Sequence, residues 1–142
     1  MQPIRSAAYV KLNWMAANSA PAGVKVGEVA ELAGMLANPD CRLVTLVGLG
    51  GVGKTRLAAT IARLTPVEIV SADSRQVYRM LDIGTAKPGP EERAAATYHG
   101  LDLADPRERY SAGRFARDAA EWIAGIVVRG RIPLVVGGTG FY

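Results

Sequence analysis

Residues Gly48-Leu49-Gly50-Gly51-Val52-Gly53-Lys54-Thr55 spell G-x-x-x-x-G-K-T, and this octet constrains the chain more than any other feature. Its glycines let backbone N–H groups turn inward without β-carbon clashes. The start of a following helix adds partial positive charge, and Lys54 adds a full one. Thr55 offers a hydroxyl to Mg²⁺. The context agrees with the motif. The apolar run Leu43-Val44-Thr45-Leu46-Val47 reads as a buried strand before it. Residues 54–64 read as a helix after it, with Leu57, Ala58, Ile61 and Ala62 inward. Gly48, Gly50, Gly51, Val52, Gly53, Lys54 and Thr55 are therefore the candidate phosphate-binding residues. The motif does not name the phosphate compound: a nucleotide is the default, and another organic diphosphate would be gripped by the same N–H groups.

The rest of the chain extends the pattern. Residues 26–37 place Val26, Val29, Ala30, Ala33, Leu36 and Ala37 on one helical face, and Asn38-Pro39 stops that helix. Val67-Glu68-Ile69-Val70 reads as a second strand. Pro90 with Glu91 and Glu92 suits the first turn of a short helix. Ser111 caps a longer helix whose stripe is Phe115, Ala119, Trp122, Ile123 and Ile126, ended by Gly130. Ile132-Pro133-Leu134-Val135-Val136 reads as a third strand. Residues 1–25 have no clean period and read as a loop leader, and residues 99–110 read as a polar connection. Strand alternating with helix means right-handed crossovers and a parallel sheet, with ligands at the carboxyl ends of its strands.

The unusual residues collect at those ends. Ser71-Ala72-Asp73-Ser74-Arg75-Gln76 packs an acid, hydroxyls, a cation and an amide after the second strand. Gly137-Gly138-Thr139-Gly140 follows the third. Asp73 beside a phosphate site can act as a general base or organise magnesium. Taken alone, it reads more readily as a cap for the turn that follows than as a catalyst.

Composition narrows the function classes. The 142 residues carry 49% apolar and 21% charged side chains, which is enough for a core and excludes bulk disorder. Seventeen Lys and Arg against thirteen Asp and Glu give +4, which permits an anionic partner without demanding one. A single Cys41 and a single His99 exclude an internal disulfide and a Cys/His zinc site, and the composition suits a reducing cytoplasm. No apolar run approaches the roughly 18 residues of a membrane span, and the polar breaks at Lys11 and Asn13 argue against a signal peptide.

Four ordered blocks resemble the tRNA dimethylallyltransferases, also called tRNA isopentenyltransferases. They are Glu68-Ile69-Val70-Ser71-Ala72-Asp73-Ser74-Arg75-Gln76-Val77-Tyr78, Asp82-Ile83-Gly84-Thr85-Ala86-Lys87-Pro88, Tyr110-Ser111-Ala112-Gly113-Arg114-Phe115 and Val136-Gly137-Gly138-Thr139-Gly140-Phe141-Tyr142. They cover residues 67–142. The resemblance implies an α/β, P-loop NTPase-like three-layer fold, incomplete here. It implies transfer of a dimethylallyl group from dimethylallyl diphosphate to N6 of an adenosine next to the tRNA anticodon, in the presence of Mg²⁺. On this resemblance Asp73 takes the proton from that nitrogen. Ser74, Arg75, Gln76 and Thr139 contact tRNA, and Lys54 and Thr55 serve diphosphate and metal.

Three departures stand out. Leu49-Gly50-Gly51-Val52 replaces the family's usual Pro-Thr-Ala-Ser, Met80 stands where the family commonly has glycine, and Gly100 is inserted before Leu101. Residues 31–62 resemble instead the multidomain signalling ATPases that bind ATP or ADP as a switch. That leaves a nucleotide-binding regulatory module as the alternative, with ATP at the phosphate loop. The expected organisation is a leader with one helix over residues 1–41 and a partial transferase domain over 42–142, truncated at its C-terminus. Three strands would leave its sheet edges open.

Overall fold

The computed structural model describes residues 7–11, 26–48, 54–82, 85 and 87–138. Its strands are β1 (Ala7–Lys11), β2 (Leu43–Gly48), β3 (Val67–Ser71), β4 (Tyr98–His99) and β5 (Ile132–Gly138). Its helices are α1 (Val26–Ala37), α2 (Lys54–Leu64), α3 (Pro90–Ala95) and α4 (Ala112–Val128). The strands form one parallel sheet in the order β1-β2-β5-β3-β4.

Period-two alternation along the strands divides the core between two faces. On one face Val44, Leu46, Val67, Ile69 and Leu134 pack with Leu32 and Leu36 of α1 and Leu57, Ala58 and Ile61 of α2. On the other, Val70 and Val135 meet Phe115, Ala119, Trp122, Ile123 and Ile126 of α4. Helices on both faces of a parallel sheet make the three-layer α/β architecture that the resemblance implies, around the parallel sheet expected from the strand–helix alternation.

The caps follow the sequence. The Ser111 side chain accepts the Arg114 N–H at 3.1 Å and starts α4. The Glu92 carboxylate reaches back to the Gly89 N–H at 2.9 Å and starts α3. Gly130, at φ 74°, ends α4.

Three expectations need correction. First, residues 7–11 are a strand rather than part of a loop leader. β1 runs in register with β2 from Ala7 opposite Leu43 to Lys11 opposite Val47. The backbone row of β2 can template such a strand without side-chain periodicity, so the pattern gave no signal. With β4 on the opposite edge, five strands stand where three were expected. Second, the inward face of α1 is rotated: Leu32 and Leu36 are buried, whereas Ala30 and Ala37 are exposed. The two leucines bury more apolar area than the alanines and set the rotation. Third, the 99–110 connection is not free of structure, because His99 pairs in β4 and Ala104 bridges to Tyr78.

Candidate functional site

The strand order places the site. β5 lies between β2 and β3, with Gly138 opposite Gly48 and Val136 opposite Ser71. The carboxyl ends of β2 and β3 are therefore two strand spacings apart, roughly 10 Å. The ladder extends one step further, since the Ala72 N–H donates to the Val136 carbonyl at 2.8 Å. Between the two ends runs Gly137-Gly138, which places no side chain on the floor of the crevice. The carboxyl ends of the strands are where ligands bind in open parallel sheets.

The β2 side supplies the cation. Lys54 and Thr55 open α2, half-buried. Burial draws the Lys54 ammonium below the ordinary lysine range, and the negative charge of Asp73 works against that shift. The lysine after the phosphate loop and the carboxylate after β3 thus act on each other across the crevice. Residues 49–53 and Thr139, expected to bind phosphate and tRNA respectively, lie outside the described residues, and Gly48 ends β2.

On the β3 side, Asp73 is held by its own turn. Its Oδ1 accepts the backbone N–H of Arg75 at 2.8 Å and of Gln76 at 3.2 Å. The capping reading of Asp73 is therefore realised in the structure, and it is compatible with the chemical one, because both turn bonds fall on Oδ1. Ser74 and Arg75 are exposed beside it. Gln76 is buried: its Oε1 accepts the Ser71 hydroxyl at 2.9 Å, and its Nε2 donates to the Thr85 carbonyl at 2.9 Å. Gln76 thus ties the end of β3 to the following loop.

Two polar networks around β3 were not legible in the sequence. Glu68 is buried on the α4 face of β3. It accepts two hydrogen bonds from Arg129, at 2.9 and 2.7 Å, and lies 2.7 Å from His99 Nε2. The Arg129 guanidinium is the main cause that holds its carboxyl down at about 2. His99, left without a role by the sequence, is a hydrogen-bonded structural residue, stacked on Trp122 with ring centroids 6.0 Å apart. The second network centres on Lys87, whose buried ammonium meets Asp82 and Asp102 at 2.8 and 2.6 Å. Apart from Asp82, five residues before Lys87, these partners are 15 to 61 residues apart and leave no local pattern; only the acidic and basic residue types could have hinted at them.

Among the described residues no helix is long and apolar enough to cross a membrane. None of their His, Cys, Asp and Glu side chains gather in threes as a metal site.

Comparison with known proteins finds similarity to one family. Residues 76–142 match the family model described as IPP transferase. The chain is 58% identical over 101 residues to the tRNA dimethylallyltransferase of Anaeromyxobacter sp. (strain K), covering 71% of this chain and 33% of that one. It is 54% identical over 100 residues to the enzyme of the same name from Halorhodospira halophila. The full-length tRNA isopentenylpyrophosphate transferase of Bacillus halodurans superposes with a TM-score of 0.66 at 44% identity, covering 70% of this chain and 33% of that chain. A eukaryotic dimethylallyltransferase acting on tRNA gives a TM-score of 0.64 at 35% identity, over 69% of this chain and 25% of that chain. The chain spans about a third of the length of the curated relatives it matches.

Proposed function

We propose, from the match of residues 76–142 to the family model described as IPP transferase, that the crevice transfers a dimethylallyl group from dimethylallyl diphosphate to N6 of an adenosine beside the tRNA anticodon. The observation that carries this reading is the placement of Lys54 just after β2 and Asp73 just after β3, on either side of β5 and near enough for their charges to interact. An anion clamp and a carboxylate base flank one pocket, as a reaction that releases pyrophosphate and a proton requires.

In this reading the backbone of Gly48, Gly50, Gly51, Val52 and Gly53, with Lys54, grips the diphosphate. The adenine is turned out of the anticodon loop so that its exocyclic nitrogen reaches the prenyl carbon. The N6 lone pair forms the new N–C bond as the C–O bond to diphosphate breaks, and that electron pair leaves with pyrophosphate. Asp73 takes the N6 proton. Ser74, Arg75 and Thr139 face the RNA. Gln76, buried between Ser71 and Thr85, shapes the RNA side by holding its turn rather than by open contact.

Mg²⁺ fits this donor set. The Thr55 hydroxyl is one hard oxygen ligand, and Mg²⁺ ordinarily takes few protein ligands, completing its shell with phosphate oxygens and water. When bound, the ion would neutralise charge growing on the leaving pyrophosphate.

An anticodon stem-loop RNA incubated with the chain, dimethylallyl diphosphate and Mg²⁺ should gain the mass of one prenyl group, and Asp73→Ala should abolish the gain. An unchanged rate in Asp73→Ala would remove Asp73 as the base. Ligand competition separates the alternative: tight ATP binding that dimethylallyl diphosphate cannot displace would identify a nucleotide-binding regulatory module.

A further inference from the structure

The Lys87 ammonium is enclosed: its side chain is 3% exposed, and each of its three N–H groups has an acceptor. These are the Tyr78 carbonyl at 2.6 Å, Asp82 Oδ1 at 2.8 Å and Asp102 Oδ1 at 2.6 Å. The three acceptors come from three separate stretches: the end of the turn after Asp73, the loop beyond it, and the segment after β4. Asp102 is itself a junction. Its Oδ2 takes the Arg93 guanidinium at 3.0 Å, its N–H donates to the Gln76 carbonyl at 3.2 Å, and its carbonyl accepts Arg79 Nε at 3.1 Å. The next residue continues the attachment, with the Leu103 N–H on the Val77 carbonyl at 2.7 Å.

Residues 75–78 are therefore gripped from both sides. On one side the Asp73 carboxylate takes the N–H groups of Arg75 and Gln76. On the other, Asp102 and Leu103 take the carbonyls of Gln76 and Val77, and Lys87 takes that of Tyr78. Without the lysine, Asp82 and the Tyr78 carbonyl would lose their shared donor and Asp102 would keep only Arg93, so this side would loosen.

We propose that Lys87 is a positioning residue for Asp73: by joining Tyr78, Asp82 and Asp102 at one ammonium, it fixes the turn that orients the Asp73 carboxylate in the crevice. The catalytic consequence rests on the reading of Asp73 as the base; the clamp itself does not.

Residue-resolved hydrogen exchange of the whole chain tests the clamp. The Arg75 and Gln76 amides report the turn, and the Ile69 and Leu134 amides report the sheet. In Lys87→Met, exchange at Arg75 and Gln76 should accelerate about tenfold or more beyond any change at Ile69 and Leu134. Asp82→Asn should move the same two amides in the same direction by less, and it decides the matter if Lys87→Met does not fold, because Asp82 is 70% exposed. Exchange at Arg75 and Gln76 that is unchanged, or that rises only in step with the sheet, overturns the proposal.

In the transfer assay Lys87→Met should lower kcat roughly 10- to 100-fold, as a small displacement of a catalytic group does. KM for dimethylallyl diphosphate should stay within about twofold, since that ligand is held at Lys54. A raised KM with unchanged kcat would place Lys87 in ligand binding instead. A wild-type chain that transfers nothing would count against the proposed activity, while the exchange data would still judge the clamp.

Discussion

Gly100 lies directly against Ser71: a β-carbon on Gly100 would fall 2.5 Å from the Ser71 carbonyl oxygen. Its φ of +91° is one that L side chains rarely adopt. The inserted glycine in the Tyr98-His99-Gly100-Leu101 stretch is thus the residue that lets the chain leave β4 while touching the end of β3. Gly100→Ala should lower stability by about 2–4 kcal/mol, from backbone strain and the displaced Ser71 carbonyl together. Urea denaturation would show it as a lower midpoint at unchanged slope.

Met80 has the opposite problem. It holds φ +64° and is 77% exposed, so strain there is not offset by burial. A glycine at this position, common in the family the chain resembles, adopts that conformation without a β-carbon clash. Met80→Gly should raise stability by about 0.5–1 kcal/mol, the strain relieved exceeding the extra freedom given to the unfolded chain. Thermal or urea melts would check this.

Glu68 makes stability depend on pH in the acid range. Its carboxyl sits at about 2 in the folded chain against an ordinary 4.5. The unfolded state therefore binds more protons between those values. The contribution, on the order of 3 kcal/mol, is fully present above about pH 5, declines as pH falls, and is gone once pH passes below about 2. Glu68→Gln should flatten this part of the stability profile. Denaturation midpoints measured from pH 6 to pH 2 should show wild type and variant converging as the solution becomes more acid.

Tyr98 carries the reverse defect, a buried hydroxyl that finds no hydrogen-bond partner among the described residues. Burial is the main cause that pushes its phenol up to about 12. Tyr98→Phe removes an unsatisfied polar atom at little cost in packing, so it should be neutral or stabilising by up to about 1 kcal/mol. A loss exceeding that amount in equilibrium unfolding would show that the hydroxyl has a partner after all.

The sequence displayed what is periodic and local. α2 runs over Lys54–Leu64 as its stripe indicated, Ser111 caps α4, and Asp73 sits where a strand end meets a turn. What it concealed depends on partners distant along the chain. Glu68 meets His99 across 31 residues and Arg129 across 61, and no window of ten or fifteen residues contains both ends. β1 was hidden because its pairing is written in backbone groups that every residue possesses. β4 was hidden because two residues are too few to show alternation. Lys87 stood inside a recognised block, yet only the folded chain brings Tyr78, Asp82 and Asp102 to its one nitrogen.

The central position of β5 has a consequence for the order of assembly. β2 and β3 share no ladder of their own; both hydrogen-bond to a strand that a ribosome delivers more than 60 residues after β3 is complete. Until that keystone is threaded between them, the two banks of the pocket have nothing to align against. Such late, long-range closure is slow, so the two banks would come into register in one step, when β5 docks, rather than by degrees.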